Sequence, residues 1–276
     1  VKIGIYIIAF GVATYFMVLN VSEKKMLSTM IDQNDAKKGE PMIPKVINFC
    51  WFGYGEHPDV VEKCIDSWKR NCPDYEIKLW DESNYDVRKN QYVREAYENK
   101  KWAFVSDYAR LDILYEFGGF YLDTDVELVK SLDELTKLAA FVATDGSGIN
   151  TGLGFGAEPH NPIIGRMLAL YSDRHFIISG KCDLTPCTKL NSKIFTENGY
   201  DKSDYNVQTI LGVKILPAEY FSPIEGKHSE LKITDNTYGI HWGSRLWETG
   251  WTRLKAKLRI LLGPKMVNYI KRMIKR

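Results

Sequence analysis

The residues best placed to do chemistry lie between Trp102 and Glu127, in the stretch WAFVSDYARLDILYEFGGFYLDTDVE. Asp123 and Asp125 stand two apart there, directly after the apolar run Phe120-Tyr121-Leu122. Side chains two apart on extended chain point the same way, so both carboxylates can aim at one spot beyond a strand's end. Two converging hard oxygen ligands suit Mg2+ or Mn2+, and such an ion suits a diphosphate. A surface turn rich in Asp is the alternative. Upstream, Asp107 and Arg110 are three apart and share one helix face. A guanidinium on that face can grip a phosphate or sugar hydroxyl, held in aim by the carboxylate. Taken alone, the two could equally be a helical ion pair worth about 0.3 kcal/mol.

Several elements must form to position these groups. Val105, Leu111, Leu114 and Phe117 recur at roughly helical spacing, and Gly118-Gly119 stops that helix. The run 120–122 then reads as a buried strand, and in an open α/β sheet ligands sit beyond such strand ends. Earlier, KVINFCWF (45–52) reads as a strand, Pro58–Arg70 as a helix and Tyr75–Trp80 as a second strand. Strand, helix, strand is the opening of a doubly wound sheet. A helical segment follows, starting at WDESNYDV and running through Tyr97. After the carboxylates, Val126–Val129 leaves the site, followed by a short helix (131–138) and a buried strand (139–144). The Gly-rich run 145–152 reads as a flexible loop with polar tips, followed by the strand LGFGA and a helix from Asn161-Pro162 to Tyr171. Residues 172–205 are polar and irregular, VKILPAEYFSPI is a strand with a tail, and YGIHWGSRLW (238–247) places His241 at a strand end.

The 276 residues suit one α/β domain with additions. A 45% apolar, 26% charged composition excludes a disordered chain. Five cysteines are an odd number without the density of a disulfide scaffold, and they read as reduced thiols. Cys182 and Cys187 lack a second Cys/His pair at zinc spacing. Ile3–Val21 is nineteen residues without a charge, long enough to span a bilayer, so residues 1–21 read as a single-pass membrane anchor. Residues 22–43 read as a linker and the catalytic domain as 44–252. Lys24 and Lys25 after the anchor outnumber Lys2 before it, which points to a cytoplasmic catalytic domain, with a Golgi lumen the alternative in a eukaryote. Nine of the 37 basic residues lie in 253–276, where there is no acid, leaving 28 against 35 acidic residues elsewhere. That tail alternates apolar and basic residues, a pattern suited to an anionic membrane surface. No groove of aromatic and basic residues supports nucleic acid as the partner.

SDYARLDILYEFGGFYLDTDVE resembles the sugar-nucleotide-binding region of glycosyltransferase family 32. The clostridial glucosylating toxins share its S-D-x-x-R … G-G-x-Y-x-D-x-D pattern. The resemblance implies the glycosyltransferase type A fold and transfer of a sugar from a nucleotide-diphosphate donor to a glycan or lipid-linked acceptor, with retention of anomeric configuration. It implies Mn2+ or Mg2+ held by Asp123, Asp125 and His241, with Asp123 acting partly through ribose or sugar. It further implies that Trp51 stacks on the base, Asp107 binds donor sugar hydroxyls, Arg110 supplies fixed positive charge and Ser244 touches the diphosphate. Asp145 and Asn150 fall on the acceptor side, and residues 185–201 resemble a helix-bearing insert that shapes acceptor specificity. A hydrolase of phosphatase type also ends an apolar strand in Asp-x-Asp, but it wants Thr or Val where this chain has Glu127. A non-catalytic glycan-binding protein on a transferase fold is the other rival, and the presence of Asp123, Asp125, Arg110 and His241 argues against it.

Overall fold

The computed structural model describes residues 42–225 and 230–243. The expected anchor (1–21), nearly all of the linker, Ser244 and the tail 253–276 lie outside the described residues. Among those described, no helix is long and apolar enough to cross a membrane. The fold is mixed α/β, built on a seven-stranded sheet of order β2-β1-β3-β6-β5-β10-β9. Its strands are β1 (Val46–Cys50), β2 (Glu76–Trp80), β3 (Gly119–Tyr121), β5 (Ala140–Ala143), β6 (Phe155–Ala157), β9 (Gln208–Ile210) and β10 (Val213–Leu216). Only β6 and β9 oppose the other five, so the carboxyl ends of β1, β2, β3, β5 and β10 share one edge. Apart from the sheet, β4 (Val126–Leu128) pairs antiparallel with β13 (Gly239–His241). Two small hairpins, β7 (Ile177–Ile178) with β8 (Lys181–Cys182) and β11 (Ile224–Glu225) with β12 (Glu230–Leu231), complete the strands.

Local sequence explains the helices. The first, α1 (Asp59–Asn71), has acids in its first turn and Lys69 and Arg70 in its last, which complements the helix dipole. Val61, Cys64, Ile65 and Trp68 form its buried stripe. Asn90 caps α2 (Gln91–Glu98) by accepting from Tyr92 N–H, so the helix begins eleven residues after the start of WDESNYDV. The intervening chain is taken up by turns in which the Asp81 and Asp86 carboxylates accept backbone N–H groups. Asn161 caps α4 (Pro162–Ala169) in the same way, with Pro at the first position. A further helix, α5 (Cys187–Thr196), lies within the polar segment 172–205.

The helix α3 (Trp102–Phe117) buries most of its length, including Asp107, Arg110 and Asp112. Val105, Leu111 and Leu114 are core as expected, but Phe117 is 56% exposed and stacks on Trp80 at 5.3 Å. The helix ends at that residue, so its last side chain falls outside the layer contact. Gly118 (φ 66°) and Gly119 (φ 97°) then reverse the chain into β3 through backbone conformations that favour glycine. A Cβ at Gly119 would also lie 2.7 Å from Val46 O, so the helix-to-strand corner closes on β1 only without a side chain. The buried Asn48 amide ties the corner, donating to Gly118 O and Phe120 O while accepting from Trp80 Nε1.

Candidate active site

Beyond β3 the chain folds into a tight turn in which Val126 N–H donates to Asp123 O at 3.0 Å. This corrects the expectation of an extended Asp-x-Asp. The expected convergence of the two carboxylates nonetheless holds, since ligand atoms of Asp123, Asp125 and His241 all lie within 4.8 Å of one another. The turn draws the carboxylates together, and the β4–β13 pairing brings the imidazole, with His241 opposite Val126. Trp242 N–H donates to Asp125 O at 3.0 Å and His241 N–H to Phe221 O at 2.9 Å, so both ligand-bearing segments are held by backbone. The α1 helix secures β4 from behind. Trp68 Nε1 donates to Val126 O at 2.7 Å, Ser67 Oγ accepts from Leu128 N–H, and Asn71 donates to Leu128 O.

His241 Nε2 lies 3.3 Å from Asp125 Oδ1. Burial works against a charge on this imidazole, but the Asp125 bond and the charges of Asp125, Asp123 and Asp145 outweigh it and raise its pKa. A cluster that draws a proton onto a histidine by carboxylate charge will also draw a divalent cation. Two carboxylates and one imidazole form a donor set that fits Mn2+ better than Mg2+. The residues present therefore fit such an ion.

Arg110 sits beside this cluster. Its Nη2 is 3.1 Å from Asp123 Oδ1 and 3.2 Å from Asp107 Oδ1, its Nε donates to Ser106 O, and its guanidinium lies 4.9 Å from the Tyr121 ring centre. Burial opposes its charge, but the neighbouring carboxylates hold its proton more firmly than usual. Burial pushes the Asp107 carboxyl up, against the pull of Arg110 and a hydrogen bond from the Cys187 thiol. Sequence reading missed Cys187 and Tyr121 as neighbours of this pair. Tyr121 stood in the quoted pattern, while nothing in the local sequence of Cys187 pointed to Asp107. Gly152 was also missed: its carbonyl accepts from Asp123 N–H at 2.9 Å, and the Asp123 carboxylate fills the space where its side chain would begin.

Asp145 and Asn150 bind each other, Asn150 Nδ2 donating to Asp145 Oδ2 at 2.9 Å. Ser147 N–H donates to Asp145 and Gly152 N–H to Asn150, while Ser192 Oγ of α5 accepts from Ile149 N–H. The loop expected to be flexible is thus cross-braced. At the end of β1, Trp51 is half-buried, donates to Gly55 O and meets His57 edge-on at 4.9 Å. It follows β1, the strand that pairs directly with β3. All five cysteines lie among the described residues and are free, as read from the sequence, including Cys182 and Cys187.

Residues 58–142 match the family described as glycosyltransferase sugar-binding region containing DXD motif. Over 127 residues the chain is 36% identical to inositol phosphoceramide mannosyltransferase 3 of Schizosaccharomyces pombe, which covers 41% of this chain and 33% of that protein. Over 150 residues it is 31% identical to a mannosyl phosphorylinositol ceramide synthase of Saccharomyces cerevisiae, covering 51% of this chain and 37% of that one. The chain thus spans about a third of the length of these relatives. Among solved structures it is 23% identical to PaToxG glycosyltransferase, with a TM-score of 0.38 over 54% of this chain and 67% of that one.

Proposed function

From a chain that carries a DXD-containing sugar-binding region over residues 58–142, we propose a metal-dependent glycosyltransferase. It moves a sugar from a nucleotide-diphosphate donor to a glycan or lipid-linked acceptor, in surface polysaccharide or glycan synthesis. The observation that carries the reading is the convergence of Asp123, Asp125 and His241 at the carboxyl edge of the sheet, beside buried Arg110. Asp123, Asp125 and His241 would hold Mn2+ or Mg2+, and such an ion stabilises the charge that develops on a departing diphosphate. Arg110 adds a second, permanent positive charge in a water-poor setting, aimed by Asp107 and Asp123. Asp107 receives donor sugar hydroxyls, Trp51 takes the base and Ser244 the diphosphate. Asp145 and Asn150 border the acceptor. Retention of configuration and the type A fold belong to this reading, as does a catalytic domain spanning 44–252. So does an anchor at 1–21, with the catalytic domain on the cytoplasmic face or, alternatively, in a Golgi lumen.

The test is donor hydrolysis against a panel of nucleotide-diphosphate sugars with Mn2+. Wild-type protein should release sugar from at least one donor, and Asp125→Asn should abolish release while the melting temperature stays within a few degrees. Turnover at the full rate in excess chelator would refute the metal site. Donor binding without any turnover would favour the glycan-binding alternative.

A further inference from the structure

Glu127 stands where a hydrolase of phosphatase type wants Thr or Val, and it lies outside the cluster of Asp123, Asp125 and His241. Its partner in the β4–β13 pairing is Ile240, one residue before His241. The Glu127 side chain is only 19% exposed, and its carboxylate is met from two sides. Trp242 Nε1 donates to Glu127 Oε2 at 3.0 Å, and Lys63 Nζ of α1 lies 3.4 Å from the same oxygen. The ammonium is also 5.7 Å from the centre of the Trp242 ring. Three elements thus meet at one carboxylate: α1, β4 and the residue just past β13.

Trp242 is 39% exposed, so packing alone does not fix its ring. Two hydrogen bonds do. Its backbone N–H donates to Asp125 O at 3.0 Å, and its indole N–H donates to Glu127. They grip β4 on either side of Val126, the residue that stands opposite His241 in register. Of the three candidate ligands, His241 is the one that the 123–126 turn does not carry. It rides on a strand of three residues, Gly239–His241, and the course of the chain at that strand's end sets where the imidazole points. A hydrogen bond to a carboxylate is roughly twice as strong as one between neutral groups. The ion pair with the exposed Lys63 adds little by comparison.

We infer that Glu127 is a positioning residue: through the Trp242 indole it holds the end of β13 so that His241 stays on the metal cluster. The inference rests on the metal-site reading for its ligand and on the Glu127–Trp242 bond for its means. Glu127 acts by geometry, as a hydrogen-bond acceptor, and not by adding negative charge to the site.

The experiment titrates the full chain with Mn2+, read by electron paramagnetic resonance of the free ion, beside thermal melting. Glu127→Ala should weaken Mn2+ binding about fivefold, somewhat below the loss when a ligand's own orienting partner is removed. Trp242→Phe keeps a ring but not the N–H, and it should show the same loss. Glu127→Gln keeps an oxygen that accepts from the indole and should stay within about twofold of wild type. All three should melt within a few degrees of wild type; if Glu127→Ala melts early, Trp242→Phe decides in its place. Wild-type affinity in Trp242→Phe overturns the inference. So does an equal loss in Glu127→Gln and Glu127→Ala, which would make charge the cause. A wild type that binds no Mn2+ sinks the metal reading and this inference with it, whereas unchanged affinity in the variants of a wild type that binds sinks the positioning role alone.

Discussion

Gly152 carries no side chain, and the space where one would begin is filled by Asp123: a Cβ there would lie 2.0 Å from Asp123 Oδ2 and 2.9 Å from Arg110 Nη1. Such an approach forces the carboxylate out of place. Gly152→Ala should therefore weaken Mn2+ binding about tenfold, in line with losses when a ligand's orienting contacts are disturbed. Electron paramagnetic resonance of free Mn2+ during titration measures it; unchanged affinity would mean that Asp123 relaxes without leaving the cluster. Trp51 poses a different question, because it is half-buried and bonded to Gly55 O. If it stacks on a base, Trp51→Ala should weaken nucleotide binding by about 1–3 kcal/mol. Unchanged nucleotide affinity in a protein that melts early would identify Trp51 as core. Both variants probe a contact rather than a charge, since neither removes Asp123, Asp125 or His241.

At the scale of elements, what holds the site is a set of corners, each closed by a few hydrogen bonds. The Gly118-Gly119 corner delivers β3, the 123–126 turn bends its end, and α1 clamps β4 so that β13 can add His241. A comparable corner away from the site yields a pH prediction. Glu95 of α2 accepts from Phe176 N–H at 2.7 Å and Ile177 N–H at 2.9 Å, with His175 and Gln91 on its other oxygen. Burial alone would raise its pKa, but these donors outweigh it and bring it down to about 2. A lowered carboxylate pKa stabilises the fold above the unfolded value, near 4.5, and that contribution fades as pH falls towards about 2. Glu95→Gln should thus cost about 1–2 kcal/mol at pH 7 and progressively less against wild type below pH 4. Denaturant melts at both pH values test it; a gap independent of pH would mean that the bonds, not the charge, carry the effect.

For the whole molecule, charge is distributed along the sequence so that 253–276 is purely basic while the rest is net acidic. At roughly 1 kcal/mol for each basic residue near an anionic surface, this tail alone could hold the protein on a membrane. A chain beginning at Pro44 should bind anionic vesicles at low salt and release at high salt, and further removal of 253–276 should abolish binding. Equal binding to neutral vesicles would refute the electrostatic account. Periodicity and turn chemistry by themselves determined the helix–strand alternation, the glycine stop at 118–119 and the Asn-Pro start of α4, because each depends on residues within a turn of one another. The spacing of Asp107, Arg110, Asp123 and Asp125 likewise offered the candidate site, and the family resemblance of the stretch singled it out. Only the tertiary structure decided that the carboxylates meet through a turn, that Gly152 presses on Asp123 and that the Cys187 thiol reaches Asp107. It also joined β13 to β4 across 110 residues of sequence, setting His241 opposite Val126. These contacts link segments far apart in the chain, and their geometry follows from how helices and strands pack, which no local pattern of residues encodes.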